Sequence, residues 1–143
     1  MAQVALAGLI VLCQFLGPGW PESVAGALAV AGGGIATMGV VLFLAGMFSL
    51  GRSLTPFPKP KGRASMHEGG VYGFVRHPMY GGVILAVAGW SMVRTPLGLA
   101  AAALLTAFLD LKSRREEVWL VERYPRYDVY RRRVRWRFVP GIR

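Results

Sequence analysis

Long apolar segments, with the charges gathered between and after them, constrain this chain more than any other feature. Residues 2–16 and 23–50 contain no charged side chain. Hydrophobic residues make up 54% of the chain and charged residues 17%. A bilayer imposes this separation because a charge inside hydrocarbon is costly. The 143 residues therefore predict one domain, an all-α integral membrane protein.

Four apolar segments predict about four transmembrane helices. The first covers residues 2–16 and the second residues 23–50. At 1.5 Å per residue the second is about 42 Å long, more than the roughly 30 Å of a hydrocarbon core. Residues 78–93 and 96–111 form two further segments, separated by only two residues. Each begins with a proline, which favours a first helical position, so they predict a helical hairpin.

Small residues recur at every fourth position of the second segment, at Ala25, Ala29 and Gly33. Because small side chains let another backbone approach closely, these positions predict the face on which the second helix packs. The glycine run at residues 32–34 is the expected place for a bend.

Two features are expected after the hairpin. Its second helix should extend into polar sequence and end near Tyr124, because Pro125 interrupts the pattern. A short cytoplasmic amphipathic helix should follow over about residues 125–135, since Tyr127, Tyr130 and Val134 recur at spacings of three and four.

Two basic regions flank the hairpin and predict its orientation. Residues 51–78 carry a net charge of +4 and residues 110–143 a net charge of +6, out of +10 for the whole chain. The positive-inside rule places both regions in the cytoplasm, and four spans then place both termini there as well. Since topology accounts for this charge, nucleic acid is not an expected partner. The basic run 131–137 is expected to contact anionic lipid headgroups.

A glycine-spaced polar loop leads into the hairpin and is the main candidate site. It reads Gly-Val-Tyr-Gly-Phe-Val-Arg-His-Pro-Met-Tyr-Gly-Gly over residues 70–82. Pro78 biases His77 away from helical dihedral angles, so His77 is expected at a helix N-terminus, where backbone amides favour an anion. The simpler alternative is a loop cation that reaches lipid phosphates.

This loop resembles the Arg-His-Pro-x-Tyr-x-Gly signature of the isoprenylcysteine carboxyl methyltransferase family and its phospholipid N-methyltransferase relatives. A second motif follows in order. Residues 116–130, with Val134 and residues 138–140, are similar to the family's Glu-Glu-x-x-Leu…Phe-Gly-x-x-Tyr-x-x-Tyr…Val…Pro ending. Two spaced motifs in order, over about residues 60–140, are a specific signal.

The resemblance implies an integral membrane, multi-pass methyltransferase that uses S-adenosylmethionine and acts on a lipid-like or hydrophobic small acceptor. The acceptor group stays open between a carboxylate, an amine and a thiol. Residues 1–143 would form one methyltransferase-like domain. Two N-terminal spans would occupy residues 1–50, and the cofactor loop, the hairpin and the C-terminal helices would occupy residues 51–143.

The resemblance also assigns residues to a cytoplasmic cofactor site between the loop and the C-terminal helices. The implied cofactor-binding residues are Ala64, Ser65, Met66, His67, Tyr72, His77, Pro78, Met79, Tyr80, Glu116 and Glu117. Glu116 would bind the amino group of the cofactor, and residues 64–67 would contribute mainly backbone contacts. Lys112 is the catalytic candidate because it stands where the family has an arginine that orients the acceptor.

The chemistry of S-adenosylmethionine agrees with these assignments. Its ammonium needs a carboxylate, its carboxylate needs a cation or a helix N-terminus, and its adenine needs aromatic or apolar walls. Lys112 and Glu116 are four residues apart on one helix face, so they can address acceptor and donor together, although such a pair is also typical of a surface ion pair. Glu117 lies about 100° further round the helix and ranks second.

Two positions depart from the family pattern. Pro125 replaces a usual glycine, and Lys112 lacks the planar fork with which arginine clamps a carboxylate. A carboxylate acceptor is therefore less favoured. No metal is expected, because one cysteine and two histidines do not form a metal-binding pattern.

Two functions of other kinds stay open. Membrane reductases related to sterol reductases share a similar Arg-His-Pro-x-Tyr ending, and a membrane scaffold without catalysis could retain the same fold. The short chain and its Glu-Glu-x-x-Leu segment favour the methyltransferase.

Overall fold

A computed structural model describes residues 2–50 and 68–141 of the chain, with side chains from residue 5 onward. These residues are helical almost throughout, and no β-strand occurs among them. The all-α prediction is confirmed. The helices are α1 (Ala2–Leu16), α2 (Glu22–Leu50), α3 (Pro78–Arg94), α4 (Pro96–Arg123) and α5 (Tyr127–Arg133), with a 3-10 helix at Gly70–Gly73 before α3.

The hairpin helices begin where the prolines predict. Pro78 and Pro96 are the first residues of α3 and α4, and only Thr95 separates the two helices. The Thr95 hydroxyl accepts a hydrogen bond from the backbone N–H of Leu97 at 3.3 Å, so it caps α4. As the sequence predicts, α4 continues through the polar residues and ends at Arg123.

Glycines bring α2 and α3 into backbone contact. Gly32, Gly39 and Gly46 are the buried residues of α2. A Cβ on Gly32 would lie 2.5 Å from the carbonyl oxygen of Gly89, and a Cβ on Gly39 would lie 2.7 Å from that of Gly82. Only glycine fits at such distances, so the two helices pack as closely as their backbones allow.

This contact follows a seven-residue spacing, so that of the three predicted positions Ala25 shares its face, whereas Ala29 and Gly33 do not. Ala29 is exposed, and a Cβ on Gly33 would have no neighbour within 4 Å. The reason is geometric: at about 100° per residue, a spacing of seven drifts by only about 20°, whereas a spacing of four drifts by about 40°. Helix α2 is continuous across residues 32–34, and the bend expected there stays a prediction.

Two described helices, α2 and α4, are long and apolar enough to cross a membrane, by length and composition. The surface of α2 is largely exposed, with Val30 at 80% and Phe48 at 73%, as contact with lipid requires. A shorter apolar helical stretch covers Ala5–Leu16. The full set of four spans stays a prediction.

Both tight turns between helices lie at one end of the bundle. A Cβ on Gly17, just after α1, would collide with the side chain of Thr95, which links α3 to α4. Nearby, the Trp20 indole N–H donates to the carbonyl oxygen of Ser91 at 3.3 Å. The loop before α3 and the segment after α5 therefore lie at the opposite end.

At that opposite end the C-terminal segment crosses the start of α3. The backbone N–H groups of Arg76 and His77 donate to the carbonyl oxygens of Trp136 and Arg137, at 3.0 and 2.8 Å. A side chain at Gly81, in the first turn of α3, would collide with the backbone of this segment. The crossing thus fixes the backbone on which the candidate site is built.

Helix α5 packs against the loop that precedes α3. Tyr127, Tyr130 and Val134, the three residues predicted to share a helix face, are 3%, 4% and 2% exposed. The Tyr130 hydroxyl donates to the backbone carbonyl of Tyr72 at 2.7 Å. The helix is shorter than the predicted range 125–135, because regular helical structure is confined to Tyr127–Arg133.

Candidate functional site

His77 lies between two carboxylates of α4. It immediately precedes α3, and the hairpin returns α4 to the same level of the bundle. Its Nε2 is 3.3 Å from Oε1 of Glu117, and its Nδ1 is 3.9 Å from Oε2 of Glu116. Each imidazole nitrogen therefore faces a different carboxylate. A short connection between two antiparallel helices produces this contact across 40 residues of sequence.

Tyr80 joins His77 to the rest of the cluster. Its hydroxyl donates to Oε1 of Glu116 at 2.6 Å. Its ring is stacked against His77, with 5.5 Å between ring centroids and 3° between ring planes. The ammonium of Lys112 lies 5.1 Å from the centroid of the same ring, within the range of a cation–π contact. We call His77, Tyr80, Lys112 and Glu116 the Tyr80 cluster.

The two adjacent glutamates have different surroundings. The Glu117 side chain is 6% exposed, and its Oε1 lies 3.3 Å from Nε of Arg76 and 3.6 Å from Nε of Arg137. The Glu116 side chain is 19% exposed, and its Oε2 lies 3.9 Å from Nδ1 of His77. Glu117 therefore balances buried cations, whereas Glu116 has room to accept hydrogen bonds from a ligand.

The sequence did not predict that Arg137, Asp110 and Phe138 lie at the site. The Arg137 guanidinium donates to Asp110 at 2.5 Å, and the Phe138 ring centroid is 6.2 Å from that of His77. Arg137 belongs to the basic run that was expected to contact lipid. Helical periodicity could not predict the position of Arg137, because Arg137 lies in an irregular segment after α5 that crosses the start of α3.

Three of the other predicted site residues, Tyr72, Pro78 and Met79, lie in the described part of the chain, and four do not. Pro78 is buried, and a Cβ on Gly46 would lie 2.9 Å from Cγ of Met79, so both residues pack against α2. Burial raises the pKa of Tyr72 to about 12, so its hydroxyl stays protonated at neutral pH. The predicted contacts of Ala64, Ser65, Met66 and His67 fall on residues outside the described ranges.

The model of the phospholipid methyltransferase family matches residues 27–127. This range is more than two thirds of the chain and includes the whole hairpin together with the Tyr80 cluster. The chain belongs to the phospholipid methyltransferase family. The resemblance seen in the motifs is thereby confirmed, since this family and the isoprenylcysteine carboxyl methyltransferases form one group of membrane methyltransferases. Comparisons with curated proteins and with solved structures gave no significant match.

Membership of the phospholipid methyltransferase family, together with the apolar helices, identifies a membrane methyltransferase. The matched range ends at residue 127. Arg137 and Phe138 therefore complete the surroundings of His77 from outside the part of the chain that the family model covers.

Proposed function

We propose that this chain transfers the methyl group of S-adenosylmethionine to a lipid-like or hydrophobic small acceptor at the Tyr80 cluster. One observation carries the proposal: the partly exposed carboxylate of Glu116 lies beside the stacked rings of His77 and Tyr80, within reach of Lys112. In a chain of the phospholipid methyltransferase family, this cluster has the types of group that the cofactor needs.

The residues of the cluster fit the cofactor by their chemistry. Glu116 can accept hydrogen bonds from the ammonium of the cofactor, since its carboxylate is partly exposed and the Tyr80 hydroxyl bonds to only one of its two oxygens. The N-terminus of α3, which follows His77, offers backbone amides and a favourable dipole for the carboxylate. The parallel, stacked rings of His77 and Tyr80 provide an aromatic wall.

When bound, S-adenosylmethionine supplies an electrophilic methyl carbon, to which an acceptor lone pair bonds as the carbon–sulfur bond breaks and the sulfide leaves. For such an in-line transfer the protein mainly aligns the reactants and excludes water. Glu116 and the start of α3 hold the donor in our proposal. Glu117 acts as a positioning residue, because it contacts His77 at 3.3 Å and is itself held by two arginines.

Lys112 is the residue that we assign to the acceptor. It lies four residues before Glu116, on the same face of α4, and its ammonium is above the Tyr80 ring. Lysine acts as a point charge, whereas arginine can bind a carboxylate through two parallel hydrogen bonds. A phosphate or carboxylate near the reacting group of the acceptor would form an ion pair with the Lys112 ammonium. The acceptor's nucleophile is a carboxylate, an amine or a thiol.

Cofactor binding to detergent-purified protein tests this function. Titration calorimetry with S-adenosylmethionine and, separately, with NADPH distinguishes the three classes of protein. A methyltransferase binds the first, a reductase related to sterol reductases binds the second, and a scaffold binds neither. We expect binding of S-adenosylmethionine alone, together with transfer of a labelled methyl group into a lipid extract. Binding of NADPH alone would contradict the proposal.

A further inference from the structure

A basic groove borders Glu117. Its volume is about 700 Å³, and five arginines line it: Arg76, Arg131, Arg132, Arg135 and Arg137. One of them precedes α3 and the other four belong to α5 and the segment after it. The groove therefore exists only because the C-terminal segment crosses the start of α3. We call it the arginine groove.

The charges of the arginine groove are only partly balanced. Three carboxylates reach its five arginines, those of Glu117, Asp110 and Asp128. Arg132 and Arg135 form no ion pair with any residue that the structure describes. Like charges collected in one concave surface repel each other, so an anion in the groove would be stabilised.

Guanidinium groups are well suited to a phosphate, because their planar forks match its oxygens. Arg76 directs its Nε toward Glu117, and no described residue pairs with its two terminal nitrogens. Arg137 uses Nε and one terminal nitrogen on carboxylates, which leaves its other terminal nitrogen. The groove thus has several hydrogen-bond donors in addition to its excess charge.

Exposed apolar side chains next to these arginines indicate that the anion belongs to a membrane lipid. Phe74, two residues before Arg76, is 71% exposed, and Val129 is 68% exposed. Val129 lies three residues before Arg132 and so shares a face of α5 with it. Apolar residues beside cations are typical of surfaces that rest at the headgroup level of a bilayer.

We propose that the arginine groove binds the phosphate of an anionic membrane lipid, at a site separate from the Tyr80 cluster. His77 lies between the two, since one imidazole nitrogen faces Glu116 and the other faces Glu117. The inference stands independently of the proposed methyl transfer, because the two arginines on which its test rests, Arg132 and Arg135, have no part in that reaction.

The test measures lipid binding by titration calorimetry with the full chain in a neutral detergent. The probes are dioctanoyl phosphatidic acid, dioctanoyl phosphatidylcholine and inorganic phosphate. The double variant Arg132→Gln/Arg135→Gln should weaken binding of phosphatidic acid by about tenfold or more, because it removes two charge-assisted contacts. The matched control is Arg115→Gln/Arg126→Gln, which makes the same change in net charge outside the groove. It should bind within about twofold of the wild type.

All four positions are exposed, so both double variants should unfold at the wild-type temperature. An equal loss in the two double variants would show that only net charge matters and would overturn the site. Unchanged binding in the groove variant would overturn it as well. If inorganic phosphate bound as tightly as phosphatidic acid, the groove would be a site for a soluble anion, and the proposal of a lipid ligand would be overturned. A parallel loss of affinity for S-adenosylmethionine would contradict the separation of the two sites.

Discussion

At the scale of single residues, two neighbouring glutamates have different surroundings because of the geometry of a helix. Successive side chains point about 100° apart. Glu116 therefore faces Tyr80 and the partly exposed side, whereas Glu117 faces the buried guanidinium groups of Arg76 and Arg137. One carboxylate is available to a ligand and the other stabilises the arrangement around His77.

Removing the charge of Glu117 should destabilise the protein. In Glu117→Gln the guanidinium groups of Arg76 and Arg137 lose their shared buried partner, and breaking such a pair costs about 3 kcal/mol or more. Chemical unfolding in detergent measures the loss. The control is Glu122→Gln at an exposed position of α4, with an expected change of less than about 0.5 kcal/mol. Equal stability of the two variants would refute this role of Glu117.

Replacing Lys112 should impair turnover more than donor binding. In Lys112→Ala the point charge above Tyr80 is lost while Glu116 stays in place. We expect kcat to fall by about tenfold or more, the effect of losing one charged contact to the acceptor, with the affinity for S-adenosylmethionine within about twofold of the wild type. Arg115→Ala, at an exposed position on the same helix, serves as the control. A loss of donor affinity with unchanged kcat would reverse the assignment.

The sequence predicted that the residues of the Tyr80 cluster lie close together, because three of them lie on the hairpin helices and His77 directly precedes one of those helices. Knowing that Pro78 begins one hairpin helix is enough to place His77 near the polar end of the other. Arg137 escaped prediction because its position depends on an irregular segment that crosses α3. The sequence also could not predict that Glu117 is more buried than Glu116, because this difference depends on tertiary contacts.

At the scale of helices, the α2–α3 interface depends on residues with no side chain. Gly32, Gly39 and Gly46 are buried at intervals of seven. The prolines and apolar lengths predicted where the helices begin and end. The packing face did not follow from the four-residue pattern, because Gly33 belongs to it and faces open space. Helix α2 has two glycine-rich faces, and the packing of α3 determines which of them is buried.

Adding a side chain at this interface should separate the helices. In Gly39→Leu the new Cβ would meet the backbone of α3 at Gly82 and Ala86. Overpacking of this kind costs about 1–3 kcal/mol, and backbone atoms cannot move aside as side chains do. Gly33→Leu is a matched control because nothing lies within 4 Å of its Cβ. Thermal unfolding in detergent should show a lower transition temperature for Gly39→Leu only, and equal effects would argue against the interface.

At the scale of the whole molecule, the structure separates two ends of a helical bundle. The turn after α1 contacts the turn between α3 and α4 at one end. The Tyr80 cluster and the arginine groove lie at the other end, with the most basic part of the chain. This polarity agrees with the positive-inside prediction that the site faces the cytoplasm.

Labelling of single cysteines tests the four-span topology. In a Cys13→Ala background, Arg94→Cys marks the end with the tight turns and Arg126→Cys marks the end with the site; both positions are exposed. A reagent that does not cross membranes should label Arg126→Cys from the cytoplasmic side and Arg94→Cys from the opposite side. Labelling of Arg94→Cys from the cytoplasm alone would contradict four spans with cytoplasmic termini.

The central claim is that Glu116 holds the methyl donor at the cytoplasmic end of the hairpin. Titration calorimetry with S-adenosylmethionine on folded wild type, Glu116→Gln and Glu122→Gln tests it most directly. Loss of the Glu116 charge should weaken binding by about 1.5 to 3 kcal/mol, the range for a hydrogen bond to a charged group, or roughly 10- to 150-fold. Glu122→Gln should bind as the wild type does. Unchanged affinity in Glu116→Gln would contradict the proposed site.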